Sequence, residues 1–363
     1  MNRYVMPDKV DELVKSKDLQ YLILLGRRSN GKSSAVKALA LRDFMRTGEK
    51  FAYIRRYSSI DMKRYRVNSY FQSVPGFNIQ EITQDKAELI DARDGELWLA
   101  NYDNKGKVAR GEACGYYMAL SEVEHLKSLN FPGVTKIIFE EFCTDQVYLD
   151  DEVKLLFSVV SSITRNSACT VFLVANTISR VCPYFREFGL DDIYKAKPGD
   201  IQVYQYDTTN IGVWLTSEGS TDEAGDNESS RMFFGSRARM IKKGEWDHTD
   251  HRKLEEYYQN YDVMYNVVFR YDRHMFLMQL LRNKRGGYIW FVAPKYDAIL
   301  PKTRIISNEG VEDPRCTIGF IPLSDAEKIM FDLIRQGKVA FTDGLTGTEF
   351  RQAYAQMMSE VKR

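Results

Sequence analysis

The chain has 363 residues and a net charge of +1, from 51 Lys plus Arg against 50 Asp plus Glu. That balance excludes a protein drawn to nucleic acid by its global charge, so DNA contacts must come from local basic patches. The five cysteines include no C-x-x-C pair, and no apolar run reaches the roughly 18 residues of a membrane span; this excludes a disulfide framework, a thiolate zinc site and a membrane partner, and predicts a two-domain cytoplasmic protein.

Residues 1–20 read as a polar lead-in with one helix, about Asp8–Ser16. Tyr21–Leu25 is a short apolar run of the buried-strand kind. It leads into Gly26-Arg27-Arg28-Ser29-Asn30-Gly31-Lys32-Ser33, a full match to G-x-x-x-x-G-K-[ST], and the good helix formers Ser34–Leu41 follow. Phosphate binding needs this succession of strand, glycine loop and helix, because loop amides and the positive end of the helix dipole surround the anion. The pattern predicts a nucleoside triphosphate held over Gly26–Ser34, with Lys32 on the β- and γ-phosphates and the Ser33 hydroxyl on Mg²⁺.

Phe51–Arg56 is a second strand, which makes the opening a βαβ unit. Arg55-Arg56 and Lys63-Arg64-Tyr65-Arg66 are the local basic patches open to DNA, with a solvated face as the alternative. Asp61–Phe71 reads as a helix closed by Pro75-Gly76. Alternating runs at Glu88–Ala92, Glu96–Asn101 and Gly115–Leu120, separated by turn residues, predict an antiparallel excursion from the α/β core.

Val134–Glu140 is an apolar strand running into two acids, the Walker B form. Glu140 at the strand end should hold the Mg²⁺ shell, and Glu141 should orient and deprotonate the attacking water. A glutamate is one methylene longer than the usual aspartate. The ion is then held directly or through water, or the two acids share the roles differently. A doublet of acids favours hydrolysis over kinase chemistry, which activates a substrate hydroxyl instead.

A helix is predicted at about Asp150–Ile163, and Arg165 lies on the loop beyond it. That position suits an arginine finger acting on a neighbour's nucleotide, or a solvent-facing arginine. Ala168–Val174 is a further buried strand, and Asn176 follows it. Its amide either faces the γ-phosphate, as strand ends in such sheets do, or caps the Thr177–Arg180 turn. Ile201–Tyr206 and Gly212–Leu215 are expected as strands at the sheet edge.

Ser217–Ser230 is polar and acidic, the composition of a linker. A basic stretch, Arg231–Lys243, and a helical segment near His251–Tyr258 follow; His248 and His251 lack further metal ligands nearby. Val263–Arg270, His274–Leu281 and Tyr288–Val292 read as a meander, with helices at Ser324–Gln336 and Gly347–Val361. The expected division is 1–216 for a nucleotide-binding domain, 217–260 for a partly helical linker region and 261–363 for an α+β domain.

The ordered blocks LLGRRSNGKS, FAYIRRY, LSEVEHLKSLNFPGVTKIIFEEF, ITRNS, LVAN and CPYF, within Leu22–Phe185, resemble the DNA-packaging ATPases of small short-tailed phages, compact relatives of terminase large subunits. The resemblance implies an α/β P-loop ATPase domain of the additional-strand, catalytic-glutamate type. It also implies a smaller α+β C-terminal domain like an RNase H-type nuclease that has lost its acids. ATP and Mg²⁺ would be the cofactors. The partners would be double-stranded DNA, the capsid portal, further copies of the chain in a pentameric ring, and a structural RNA. The protein would work in the host cytoplasm, docked transiently on the procapsid, and be absent from the mature virion. The resemblance gives Lys32, Ser33, Glu140 and Glu141 the roles read above. It makes Arg165 the trans-acting finger and Lys127 a second basic residue reaching a neighbour's site, while Asn176 couples hydrolysis to motion. Asp262 and Asp272 fall at strand ends and not in the converging acid cluster of a two-metal nuclease, so DNA cleavage is not expected. The competing readings are a terminase with an active nuclease domain and a slow nucleotide-gated DNA-binding protein in which Glu140-Glu141 are structural.

Overall fold

The computed structural model describes residues 5–26, 30–74, 76–123, 129–144, 146–165, 168–176, 179–190, 193, 195–216, 251–254, 260–295, 302–310 and 313–361. Its first half is built on helix α1 (Pro7–Ser16), strand β1 (Tyr21–Gly26), α2 (Lys32–Thr47) and β2 (Lys50–Arg55). Pro7 at the first helical position presets φ for α1, and Gly48 in the left-handed region ends α2. Asp61–Phe71 is not one helix. It divides into α3 (Ser58–Asp61) and α4 (Arg64–Tyr70), because Lys63 has extended backbone at the junction, and α5 (Ile79–Thr83) follows. The antiparallel excursion is β3 (Leu89–Arg93), β4 (Glu96–Tyr102) and β5 (Val108–Ala119). Then come β6 (Val134–Glu140), α6 (Glu152–Ile163), β7 (Thr170–Val174), α7 (Pro183–Glu187), β8 (Ile201–Tyr206) and β9 (Thr209–Thr216).

These strands form one nine-stranded sheet in the order β3-β4-β5-β2-β6-β7-β1-β9-β8. The centre, from β5 to β9, is parallel throughout, and antiparallel pairs lie at both margins. β7 stands between the glycine-loop strand β1 and the acid-tipped strand β6, the arrangement expected of an additional-strand ATPase. β9 was expected at an edge, but it pairs in parallel with β1 from Tyr21↔Ile211 to Gly26↔Thr216; only β8 is marginal. Both faces of a parallel sheet need cover, and the buried residues divide accordingly. One cluster joins α1, α2, α4 and α5 to the sheet, and the other joins α6 and α7 to the opposite face.

The second sheet uses β10 (Tyr261–Tyr271), β11 (His274–Asn283), β12 (Tyr288–Pro294), β13 (Arg304–Ser307), β14 (Cys316–Ile318) and β15 (Val339–Phe341). Their order is β14-β13-β10-β11-β12-β15, an antiparallel meander flanked by parallel strands. Helices α8 (Asp325–Arg335) and α9 (Gly344–Val361) pack on one face through Met330, Phe331, Leu333, Phe350 and Met357. His251–Leu254 is not helical: Lys253 bridges Phe341 and Leu254 packs beneath the sheet, so this segment belongs to the second domain. Residues 255–259, the rest of that expected helix, lie outside the described residues, as do the acidic linker and the basic stretch. Among the described residues no helix is long and apolar enough to cross a membrane.

The two halves meet at the loop between β7 and α7. Val181 is buried in the second domain's apolar cluster, Arg180 faces Glu349 at 3.8 Å, and Gln352 donates to the Gln146 carbonyl at 2.7 Å.

Candidate nucleotide site

β1 ends at Gly26, whose φ of 147° and tight surroundings leave no room for a side chain. A Cβ there would lie 2.3 Å from the Thr216 carbonyl oxygen. Asn30 donates to the Thr216 hydroxyl at 2.5 Å, and that hydroxyl donates to the Leu25 carbonyl at 2.7 Å, so the end of β9 fastens the glycine loop. Gly31 takes a φ of 86° and caps α2, placing the first amides of the helix against a cavity of 230 Å³. Lys32, Ser33, Arg55, Glu140, Glu141 and Asn176 are among the residues that line it.

The Lys32 ammonium lies 3.2 Å from the Gly26 carbonyl, 3.1 Å from Asn30 Oδ1 and 3.5 Å from Asn176 Oδ1. Neutral oxygens thus occupy the positions that phosphate oxygens take beside such a lysine. Of the predicted phosphate-binding residues, Gly26, Asn30, Gly31, Lys32, Ser33 and Ser34 come together here, and Asn176 joins them from the end of β7. Arg27, Arg28 and Ser29 lie outside the described residues.

The two acids sit in different settings. Glu140 is buried, accepts the Tyr53 hydroxyl at 2.5 Å, and faces Lys37 at 3.0 Å and Arg55 at 3.6 Å. Burial alone would raise its carboxyl pKa, but Lys37, the Tyr53 hydroxyl and Arg55 hold it below the usual value, so it stays ionised. Glu141 projects into the open cavity, with its side chain 64% exposed. Its backbone is left-handed, with a φ of 60°, and its amide donates to the Val174 carbonyl at 2.7 Å. A non-glycine residue with that φ is strained and marks a position where geometry outranks comfort.

Arg55 and Arg56 correct the sequence expectation of a DNA-facing patch. Both are buried. Arg55 reaches Glu141 at 2.6 Å and lies over the Tyr70 ring at 4.6 Å. Arg56 is bidentate to Glu152, at 2.8 and 2.9 Å. Ion pairing explains this, since buried guanidiniums need carboxylates. Arg64 pairs with buried Asp91 at 2.8 Å while half exposed, and Lys63 is exposed. Arg165 lies exposed just past the end of α6, and Lys127 is outside the described residues. Sequence reasoning missed Lys37, Tyr53 and Thr216. Tyr53 carried a signal, because a phenol in a fully buried strand must find a hydrogen-bond partner.

An α/β sheet with a glycine loop at one strand end, a lysine beneath it and two acids on the next-but-one strand defines a P-loop nucleotide-binding domain. The model of the podovirus DNA encapsidation protein (Gp16) family matches residues 2–212, and the chain belongs to that family. It is 30% identical over 173 residues to the DNA packaging protein of Bacillus phage phi29, a match covering 46% of each protein, so the chain spans about half the length of the relatives it matches. Two solved structures share its fold across both domains. The bacteriophage Phi-29 viral genome packaging motor assembly matches 98% of this chain and 99% of its own, at 17% identity and a TM-score of 0.54. The Phi-28 gp11 DNA packaging motor matches 98% of each, at 18% identity and a TM-score of 0.50.

Proposed function

We propose that the chain is an ATP-driven translocase that packages double-stranded DNA into a preformed capsid, working as a ring of five copies on the portal. One observation carries the enzymatic part of this reading: Lys32, Glu140, Glu141 and Asn176 converge on one cavity at the start of α2. Lys32 and the loop amides bind the phosphates, and Ser33 and Glu140 would hold Mg²⁺. Glu140, ionised while facing Lys37, Arg55 and Tyr53, would share in holding the ion. A bound Mg²⁺ supplies charge neutralisation between the phosphates. Exposed Glu141 takes the proton of the attacking water, and Arg55, 2.6 Å away, aims its carboxylate. Arg165 and Lys127 act on the nucleotide of a neighbouring copy, and Asn176 carries the change at the γ-phosphate into β7. Family membership supports DNA as the load, and the likeness to two viral DNA-packaging motors supports action in an assembly; a capsid portal and a structural RNA are further partners in this reading. The place of action is the host cytoplasm and the procapsid, and the mature virion lacks the protein.

The C-terminal domain does not cut DNA in this reading. Its acids are tied up by cations and hydroxyls: Asp262 by Arg282 at 3.6 Å, Asp272 and Glu309 together by Arg186 at 2.5 and 3.5 Å, Glu327 by Arg304, and Glu360 by the Tyr271 hydroxyl; among the described residues none form a group that could hold a metal ion. A two-metal nuclease requires acids that converge on ions about 4 Å apart.

Mixing variants tests the shared site. Arg165→Ala alone and Glu141→Gln alone should not hydrolyse ATP, whereas rings containing both should regain part of the turnover. Turnover per chain that stays constant with chain concentration, and no recovery in mixtures, would overturn the trans arrangement. Capsids carrying a portal should stimulate hydrolysis and take up DNA.

A further inference from the structure

The strained backbone of Glu141 is held from behind by a group outside the cavity. Arg56 donates from Nη1 to the Glu141 carbonyl at 3.0 Å and from Nη2 to the Phe142 carbonyl at 2.7 Å. Its Nε and Nη2 are fixed in turn by Glu152, whose side chain has no solvent exposure. Glu152 begins α6, and it also accepts the Leu149 amide at 2.8 Å and the Tyr184 hydroxyl at 2.8 Å. Tyr184, fully buried, lies on α7. Two residues on, Arg186 crosses to the second domain and pairs with Asp272, in the turn between β10 and β11. Asp272 is itself left-handed, with a φ of 50°, and is braced by Asn308 at 3.2 Å. The contacts form an unbroken series, from the carbonyl of the water-activating residue to the surface turn of the other domain.

We propose that Arg56 is a positioning residue for Glu141, and that Glu152, Tyr184, Arg186 and Asp272 make that positioning depend on docking of the C-terminal domain. The physical case is that a residue at φ 60° returns to a relaxed backbone unless its neighbours hold it. Arg56 holds it by two carbonyls and is itself fixed by Glu152, with its guanidinium lying over the Tyr148 ring at 5.1 Å. A bidentate guanidinium–carboxylate pair out of water is rigid, so displacement of α7 moves the pair as one piece. Undocking of the second domain releases Arg186, frees α7 to shift, and lets Glu141 leave the geometry in which it activates water. Hydrolysis is then fast only while the two domains are engaged. Nucleotide affinity, set by the glycine loop on the other side of the cavity, stays the same.

The proposal rests on Glu141 as the base, and the experiment separates the two. Steady-state hydrolysis is measured on the full-length, assembled protein for Arg186→Gln, Asp272→Asn, Tyr184→Phe, Tyr184→Phe with Arg186→Gln, Arg186→Lys and Glu141→Gln. Asparagine tolerates the left-handed turn, and phenylalanine keeps the Tyr184 ring, so the folds are preserved. Each of the first three should lower kcat by roughly three- to thirtyfold with KM for ATP unchanged, the range of couplings that run through packed networks. The double variant should fall no further than the weaker of its two parents, and Arg186→Lys should recover most of the loss. Effects that multiply, a KM that rises with the fall in kcat, or an unchanged kcat in both Arg186→Gln and Asp272→Asn would overturn the relay. If Tyr184→Phe does not fold, the two interface variants decide the matter, because Arg186 is substantially exposed. Turnover in Glu141→Gln would remove the base itself. An inactive Glu141→Gln beside fully active Arg186→Gln and Asp272→Asn would remove the relay alone.

Discussion

At Glu141 a carboxylate that must move a proton stands on backbone that glycine adopts without cost and other residues adopt with strain. The strain has a use, since it turns the side chain out of the β6 line into the cavity, while Glu140, one residue earlier, stays buried among Lys37, Tyr53 and Arg55. Comparing two variants that both lack the carboxylate isolates the backbone term. Glu141→Gly should be more stable to urea than Glu141→Ala by about 1 kcal/mol, with neither hydrolysing ATP. Equal midpoints would mean the strain is absent in solution. Glu141→Gln should keep nucleotide affinity within about twofold while losing turnover, because it retains shape and loses only the proton acceptor. Filter binding beside a phosphate-release assay reads both, and a parallel loss of binding would assign Glu141 to the phosphates. The chemistry of Lys32 and of the acid pair was legible in the sequence because each residue lies in a contiguous motif. Arg55 and Arg56 were not, because their partners Glu141 and Glu152 are 86 and 96 positions away, and two arginines after an apolar strand look like a surface.

Among the elements, most of the long ones were readable and the short ones were not, although the first seven residues of β5, Val108–Cys114, were missed. β1, β2, β6 and β7 are apolar runs buried on both faces, and α2 and α6 have the composition of helices. β13, β14 and β15 span only three or four residues, too few for a period to register, and their pairing is imposed by the meander beside them. The position of β9 beside β1 was likewise invisible, yet it matters for the site: Thr216, its last residue, receives Asn30 and packs against Gly26. This makes Gly26 a joint between two strands and the loop. Gly26→Ala would drive a Cβ to 2.3 Å from backbone oxygen, which no rotamer change relieves. The expected result is loss of nucleotide binding with destabilisation of about 2 kcal/mol or more, from clash and unfavourable φ together. Gly48→Ala, at a helix end with nothing within 4 Å of the added carbon, should cost only about 1 kcal/mol and leave binding intact. Equal effects of the two substitutions on nucleotide affinity would refute the joint.

Across the whole molecule, the interface between the domains buries titratable groups in their neutral forms, which makes the docking contacts sensitive to pH. His274 is pushed down to about 4 by burial. Glu349 on α9 is pushed up to about 7, chiefly by burial, with Arg180 opposing and Asp343 reinforcing. The two run in opposite directions. A carboxyl whose folded value is raised stabilises the fold fully below its unfolded value of 4.5, and that contribution disappears as pH rises towards 7. A histidine whose folded value is depressed stabilises the fold above 6.5, and its contribution is lost as pH falls towards 4. In the parent chain the two partly offset each other over the acid range, so the pH profile of the parent alone hides both. Glu349→Gln removes one of them and keeps the shape and the neighbour Arg180. The variant's advantage over the parent should be near zero at pH 4.5, grow through pH 6, and level off above pH 7 at about 3 kcal/mol, the worth of the displaced protonation equilibrium. Urea unfolding followed by the fluorescence of Trp290, buried in the second domain's core, in a background where Trp98, Trp214 and Trp246 are phenylalanine, measures this domain's transition. A difference between Glu349→Gln and parent that is the same at pH 5 and pH 8 would show that Glu349 is ionised and solvated in the fold, and that the domains meet less closely than Arg180, Glu349 and Val181 require.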